Sequence, residues 1–155
     1  MPTPLTLHLT DYSDDAHWRW ALHDARGNFL ADHEVRLDTA SLEYRGFVEL
    51  AAYLDFYSPI RPVAQQLDEL GAWIGLHVFG DLRARLAQVC RPPATAVTVI
   101  VPAPASALLL RPLELARLPD GRSFATAGIR FVYSAEPPPH LPHTGLILTH
   151  IETRV

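Results

Sequence analysis

The spacing of apolar residues changes near Asp38, and this change constrains the fold more than any other feature of the 155-residue chain. Between Leu5 and Leu37 apolar residues recur at every second position, in three runs separated by turn residues. Alternation with period two is typical of strands that have one buried face and one wet face. The segment 5–38 is therefore predicted to form an antiparallel three-stranded meander.

Beyond this segment the apolar residues recur every three or four positions, which is the spacing of amphipathic helices. One helix is predicted over 41–57, beginning at Ser41. A second, longer helix is predicted over 62–90, with Pro62 in its first turn.

Glycines mark two special places in the second helix. Gly71 and Gly75 lie one turn apart, and each costs about 1 kcal/mol in a helix interior, so they predict close backbone packing against another element. Gly80 and Asp81 are where this helix is expected to break in two.

The last part of the chain predicts further strands. The run 96–101 is β-branched and almost wholly apolar, which indicates a strand buried on both faces at the centre of a parallel sheet. Strands are also predicted at 129–133 and 145–149. The fold class is therefore α/β with a mixed sheet. The single domain 1–155 comprises the meander at 5–38, a helical region at 41–90, core strands at 96–134, and a proline-rich connector with a last strand at 136–155.

The charged residues exclude several functions. All 13 basic residues are arginine, so a phosphate loop with its lysine, a Schiff-base lysine and a Ser-Lys dyad are excluded by residue type. The formal net charge is −4 and the chain has no run of basic residues, so nucleic acid binding is not expected. No cofactor is predicted.

The cysteine count and the N-terminal sequence indicate the cellular compartment that is expected for the protein. A single cysteine, Cys90, permits neither an intramolecular disulfide nor a cysteine-based zinc site, which favours the reducing cytoplasm. The N-terminus lacks the pattern of a signal peptide, and no apolar run approaches the ~20 residues that span a bilayer. Neither secretion nor membrane insertion is expected.

Several short motifs, in order, carry a resemblance to a known family. They occupy 97–102, 108–116, 120–122 and 128–133, preceded by Trp18-Arg-Trp20, the run 30–38 and Gly71-Ala-Trp-Ile-Gly75. Together they resemble the opening of CHAT domains, which are caspase-like cysteine peptidase domains of bacterial signalling and conflict systems. The resemblance covers 5–134 and implies the front portion of a caspase-like domain.

The catalytic half of that family has no counterpart here. Its dyad is a histidine beside glycines after one core strand and a cysteine after the next, and neither motif is present in the sequence. The resemblance thus implies a non-catalytic scaffold or interaction subunit, and the chain alone is expected not to be an enzyme. An incomplete sheet would leave an unpaired edge near 129–133 or 146–149. The expected partner is a chain supplying a catalytic or regulatory part, or a second copy joined through a sheet edge.

Two other functions stay open. Cys90 with a nearby histidine would make a cysteine peptidase, although its place at the end of a helical apolar stripe favours a buried structural role. His150 follows a predicted strand, as a catalytic histidine would, but without the glycines. A histidine-based metal site would use His8, His17 and His23, which share the wet face of the meander.

Glu114 is the one carboxylate singled out by the resemblance, which implies mostly apolar surroundings for it. A carboxylate in such surroundings must be paired, and Arg111, Arg117 and Arg130 are the expected partners.

Overall fold

The structure is a computed structural model that describes residues 3–135. It contains one five-stranded sheet in the order β3-β2-β1-β4-β5. The strands are β1 Leu5–Asp14, β2 His17–His23, β3 Phe29–Arg36, β4 Thr95–Val101 and β5 Ile129–Ala135. The first three strands pair antiparallel, whereas β4 pairs parallel with β1 and with β5. The predicted α/β class, mixed sheet and meander are confirmed; the predicted connector and strand within 136–155 lie outside the described residues.

The helical region contains four α-helices joined by short irregular pieces. They are α1 Leu42–Val48, α2 Leu50–Tyr57, α3 Val63–Trp73 and α4 Leu82–Val89, with a π-helical turn at Ile74–Phe79. Two 3-10 segments, Ala103–Leu110 and Leu113–Leu115, lie between β4 and β5. No helix in the described part of the chain is both long and apolar enough to span a membrane.

The prediction of one continuous helix over 41–57 is wrong. Ser41 caps the start as expected, because its hydroxyl oxygen accepts the Tyr44 N–H at 3.1 Å. Glu49, however, has φ −135° and ψ 67°, which separates α1 from α2. The carbonyl oxygen of Val48 instead accepts a hydrogen bond from the Arg111 guanidinium at 3.1 Å. A side chain distant in sequence thus satisfies the backbone group at the break.

The predicted helix over 62–90 is divided into three pieces. Pro62 precedes the first helical residue rather than occupying the first turn. The expected break at Gly80 is confirmed: its φ is +49°, a conformation that residues with a side chain rarely adopt. The imidazole of His33 occupies the space where a Cβ would stand. The chain therefore needs glycine here for both its backbone conformation and its packing.

The close packing predicted at Gly71 and Gly75 is confirmed. A Cβ at Gly71 would overlap the carbonyl oxygen of Leu115, and one at Gly75 would overlap that of Arg117. The Arg117 N–H donates to the Gly71 carbonyl at 3.0 Å. The two glycines thus let the strand-connecting segment 113–118 lie directly on α3 and the π-helical turn.

The core lies on one face of the sheet, so the prediction that β4 is buried on both faces is wrong. Its side chains alternate between buried and half-buried positions, because the helices cover one face only in the described residues. β4 is also displaced from the centre of the sheet, which β1 occupies. Phe79 anchors the helical layer on this face by stacking against the rings of Trp20 and Phe131.

Candidate functional site

Strand β5 forms one edge of the sheet. Within residues 3–135 it pairs with β4 alone, in a parallel register that runs from Thr95 opposite Ile129 to Val101 opposite Ala135. The edge predicted near 129–133 is therefore confirmed for the described part of the chain. An unpaired edge presents a row of backbone donors and acceptors to which another strand can bind.

The backbone register shows which groups of β5 face outward. The Thr95 N–H donates to the Gly128 carbonyl at 2.6 Å, which directs the even-numbered residues of β5 toward β4. The N–H and C=O groups of Phe131, Tyr133 and Ala135 therefore point away from the sheet. The Ile129 N–H donates to the Phe124 carbonyl at 2.9 Å, so the part of the edge that has no backbone partner in the described chain begins beyond Ile129.

A shallow apolar groove of about 390 Å³ runs beside this edge. Ile129, Phe131 and Tyr133 form one wall, and Pro93, Ala94 and Ala125 contribute to the rest. Val132 on the opposite face of the strand is 46% exposed and Tyr133 is 37% exposed. The backbone row and this groove, which we call the β5 edge surface, combine the two components that β-strand addition uses for affinity and specificity.

A second groove of about 260 Å³ adjoins the first, and the two share Glu114 and Tyr133. The Tyr133 hydroxyl donates to Glu114 Oε2 at 3.0 Å. The expectation that Glu114 lies in apolar surroundings and pairs with arginine is wrong, because the residue is exposed and its hydrogen-bond donor is the phenol. Burial first, and then the negative charge of Glu114, raise the pKa of Tyr133 above its ordinary value, so the hydroxyl remains a donor.

The opposite edge of the sheet, β3, has a different character. Arg19 of β2 forms ion pairs with Asp32 at 2.9 Å and with Glu34 at 3.7 Å, and Arg36 pairs with Glu34 at 2.8 Å. Charged side chains of this kind protect an edge strand against pairing. β5 carries a single charged residue, Arg130.

Cys90 is buried, as its place at the end of α4 suggested, with 2% of its surface exposed. Burial raises the pKa of the thiol to about 11, despite the neighbouring Arg91 and a hydrogen bond to Thr95. A thiolate, the reactive form, is therefore disfavoured near neutral pH. The other catalytic candidate, His150, lies outside the described residues.

The three candidate metal ligands share one face of the sheet but do not meet at one point. His17 and His23 stand six positions apart on β2, which is about 20 Å at roughly 3.3 Å per residue. His8 lies opposite Ala21 between them. His17 is engaged with Asp14, at 2.9 Å, and this hydrogen bond lowers the pKa of the carboxyl group. Among residues 3–135, no three potential ligands gather in the manner of a metal site.

A further cleft of about 470 Å³ lies between α1 and α2. Four aromatic rings contribute to its lining, those of Tyr44, Tyr53, Phe56 and Tyr57. None of the candidate catalytic or metal-binding residues in the described part of the chain contributes to it. The sequence patterns did not reveal this cleft, because it forms only where the break at Glu49 turns one helix against the other.

Comparison with known proteins adds no family assignment. No protein-family model matches the chain, and no curated protein matches it in sequence. The geometry of the β5 edge surface is therefore the main basis for a functional interpretation.

Proposed function

We propose that this protein is a non-catalytic interaction subunit that completes its sheet by binding an extended strand of a second polypeptide chain at the β5 edge surface. The observation that carries this proposal is the outward backbone row of Phe131, Tyr133 and Ala135, which pairs with no second strand among residues 3–135 and is bordered by an apolar groove. Strand addition supplies backbone hydrogen bonds along such an edge, and the groove accepts side chains that alternate along the added strand.

The resemblance to CHAT domains supports the same assignment at a finer level. A domain that corresponds to the front portion of a caspase-like fold would pack against, complete or regulate a chain carrying the catalytic dyad. The buried thiol of Cys90, with its raised pKa, supports a role without nucleophilic catalysis. We place the subunit in the cytoplasm of a bacterial cell, in a signalling or defence system of the CHAT type.

The experiment uses a proline at an outward-facing position of the edge. Tyr133→Pro removes an N–H that points away from the sheet while leaving the ladder to β4 intact, a placement that edge strands tolerate. The matched control is Tyr133→Val, which also removes the phenol but keeps the N–H. Association is measured by sedimentation velocity, for the subunit alone and mixed with a CHAT-type catalytic chain encoded beside it.

We expect the unchanged protein and Tyr133→Val to associate, and Tyr133→Pro to lose association by at least tenfold. Circular dichroism verifies that both variants are folded. A parent protein that stays monomeric at all concentrations and does not bind the catalytic chain would overturn the proposal. Equal association of the proline and valine variants would also overturn it, because the edge backbone would then play no part.

A further inference from the structure

We infer that the strand added at the β5 edge surface is β5 of a second copy of this chain, related by a two-fold axis that passes beside Val132. This inference rests on the proposed function, since it names the occupant of the same edge. It joins two five-stranded sheets into one continuous sheet. The register, the side chains and the charges of β5 favour this pairing.

The register follows from the direction of the backbone groups. In an antiparallel pair, opposite residues that exchange two hydrogen bonds must both direct their N–H and C=O groups toward the partner strand. On β5 these are the odd-numbered residues, so Phe131 of one copy pairs with Tyr133 of the other. Val132, whose backbone faces β4, then lies opposite its own symmetry mate in a non-hydrogen-bonded pair. The pairing centred on Val132 also places Ile129 opposite Ala135, but the Ile129 N–H already donates to the Phe124 carbonyl, so the new backbone hydrogen bonds come from Phe131 and Tyr133.

The side chains that meet in this register suit one another. Phe131 lies opposite Tyr133 on the side of the groove, and aromatic pairs across antiparallel strands stabilise the pairing relative to alanine pairs. Val132 meets Val132 on the other face, where each is 46% exposed in the single chain. A two-fold axis repeats every favourable pair, as isologous interfaces require.

The charged residues also permit pairing of two copies at β5, whereas those of β3 oppose it. Arg130, the one charged residue of β5, lies opposite Ser134, and the two copies of Arg130 are about 14 Å apart at ~3.4 Å per residue. That separation exceeds the Debye length of about 8 Å at physiological salt, so their repulsion is screened. On β3, in contrast, Asp32 and Glu34 would approach their counterparts in a second copy.

Engineered cysteines test the register directly. In a non-hydrogen-bonded pair the Cα atoms are about 4.5 Å apart, which is within the range of a disulfide. Val132→Cys is therefore expected to form an intermolecular disulfide on mild oxidation. Ser134→Cys is the matched control: it is also exposed on β5, but its symmetry mate would be about 14 Å away, too far to be bridged. Cys90 is buried and provides no competing thiol on the surface.

The expected result is a covalent dimer of at least four-fifths of the Val132→Cys protein and less than a tenth of the Ser134→Cys protein, on non-reducing gels. Sedimentation equilibrium of the unchanged protein should give twice the chain mass. Failure of Val132→Cys to cross-link, or equal cross-linking of both variants, would overturn the inference. If the chain is monomeric while Tyr133→Pro still abolishes binding of the catalytic chain, the inference fails and the proposed function stands; if neither association occurs, both fail.

Discussion

Gly75 lies where the helical layer approaches the backbone of the segment 113–118 closely. A Cβ there would overlap the carbonyl oxygen of Arg117, whose backbone nitrogen and carbonyl carbon lie 3.1 Å from the same point. On a solvent-exposed helix surface, Gly→Ala would stabilise the helix by about 1 kcal/mol. We expect Gly75→Ala to destabilise instead, by about 1–3 kcal/mol, because the backbone of the segment 113–118 must move away.

The measurement is the free energy of unfolding in urea. Leu76→Ala serves as the control, because Leu76 is the next residue in the chain and is 55% exposed, so its truncation should change stability by no more than about 0.5 kcal/mol. A gain in stability for Gly75→Ala would contradict the close contact between the backbone of Arg117 and Gly75.

Cys90 gives a second expectation at the scale of single residues. With the pKa of its thiol raised from 9.0 to about 11, the thiolate fraction at pH 8 falls about 100-fold relative to an unperturbed cysteine. Iodoacetamide at pH 8 should therefore alkylate the folded protein at least 100-fold more slowly than the same protein in urea, as followed by mass spectrometry. Alkylation at the rate of a free thiol would revive the cysteine peptidase hypothesis.

At the scale of elements, α1 depends on its cap. Ser41 Oγ accepts the Tyr44 N–H at 3.1 Å and donates to the Asp38 carbonyl at 2.8 Å. We expect Ser41→Ala to lower the free energy of unfolding by about 1 kcal/mol, the usual effect of losing an N-cap side chain. Ser58→Ala is the control, since Ser58 follows α2 and caps no N–H there. Equal effects of the two changes in a urea titration would contradict the role of the cap.

The same elements show what a sequence can and cannot predict. Period-two alternation identified β1 to β3 because neighbouring residues of a strand lie on opposite faces, so their polarity follows their burial. Ser41 marked the start of its helix because an N-cap depends only on residues near it in sequence. The break at Glu49 gave no local signal, since the Arg111 side chain that bonds to the Val48 carbonyl lies 63 positions away. The one-sided burial of β4 was missed because an apolar composition does not reveal which faces the helices cover.

Across the molecule as a whole, the edge that β5 forms in the described sheet was predictable but its groove was not. A resemblance to only part of a larger sheet predicted an edge near 129–133 or 146–149, and the second range lies outside the described residues. Pro93, Ala94 and Ala125, however, reach the groove from two separate loops that only the folded chain brings together. The distance between His17 and His23 likewise follows from the extended strand. It is too long for both side chains to bind one metal ion, although their shared face had suggested a common site.

Stability at high pH depends on titrating groups that are spread over the whole chain. The chain has no lysine, so the alkaline titration between the thiol and the arginines belongs to its five tyrosines and Cys90. Four phenols have raised pKa values for different reasons. They are Tyr12, bonded to Asp15 and raised to about 12; Tyr44 and Tyr53, raised mainly by burial; and Tyr133, raised by burial and by Glu114.

These shifts fix the sign of the pH dependence. A raised pKa in the folded protein means that the unfolded chain loses the proton first as the pH rises. The contribution of these groups to the free energy of unfolding is therefore complete below their ordinary pKa values, 9.0 for the cysteine and 10.0 for the tyrosines. It should fall progressively as the pH rises from about 9 toward 12. The measurement is the free energy of unfolding in urea at intervals of pH, with tyrosinate absorbance followed in the folded protein.

Tyr12→Phe tests the contribution of one phenol to this decline. The Tyr12 hydroxyl donates to Asp15 Oδ1 at 2.6 Å, and its loss removes one group that ionises near pH 10 in the unfolded chain but only near about 12 in the folded chain. We expect the variant to lose less stability than the parent between pH 9 and 12, whatever its stability at pH 7. If the free energy of unfolding fell in parallel with pH for the two proteins, the prediction would be contradicted. The Tyr12 phenol would then have the same pKa in the folded and unfolded states, because only a difference in pKa between them changes the slope.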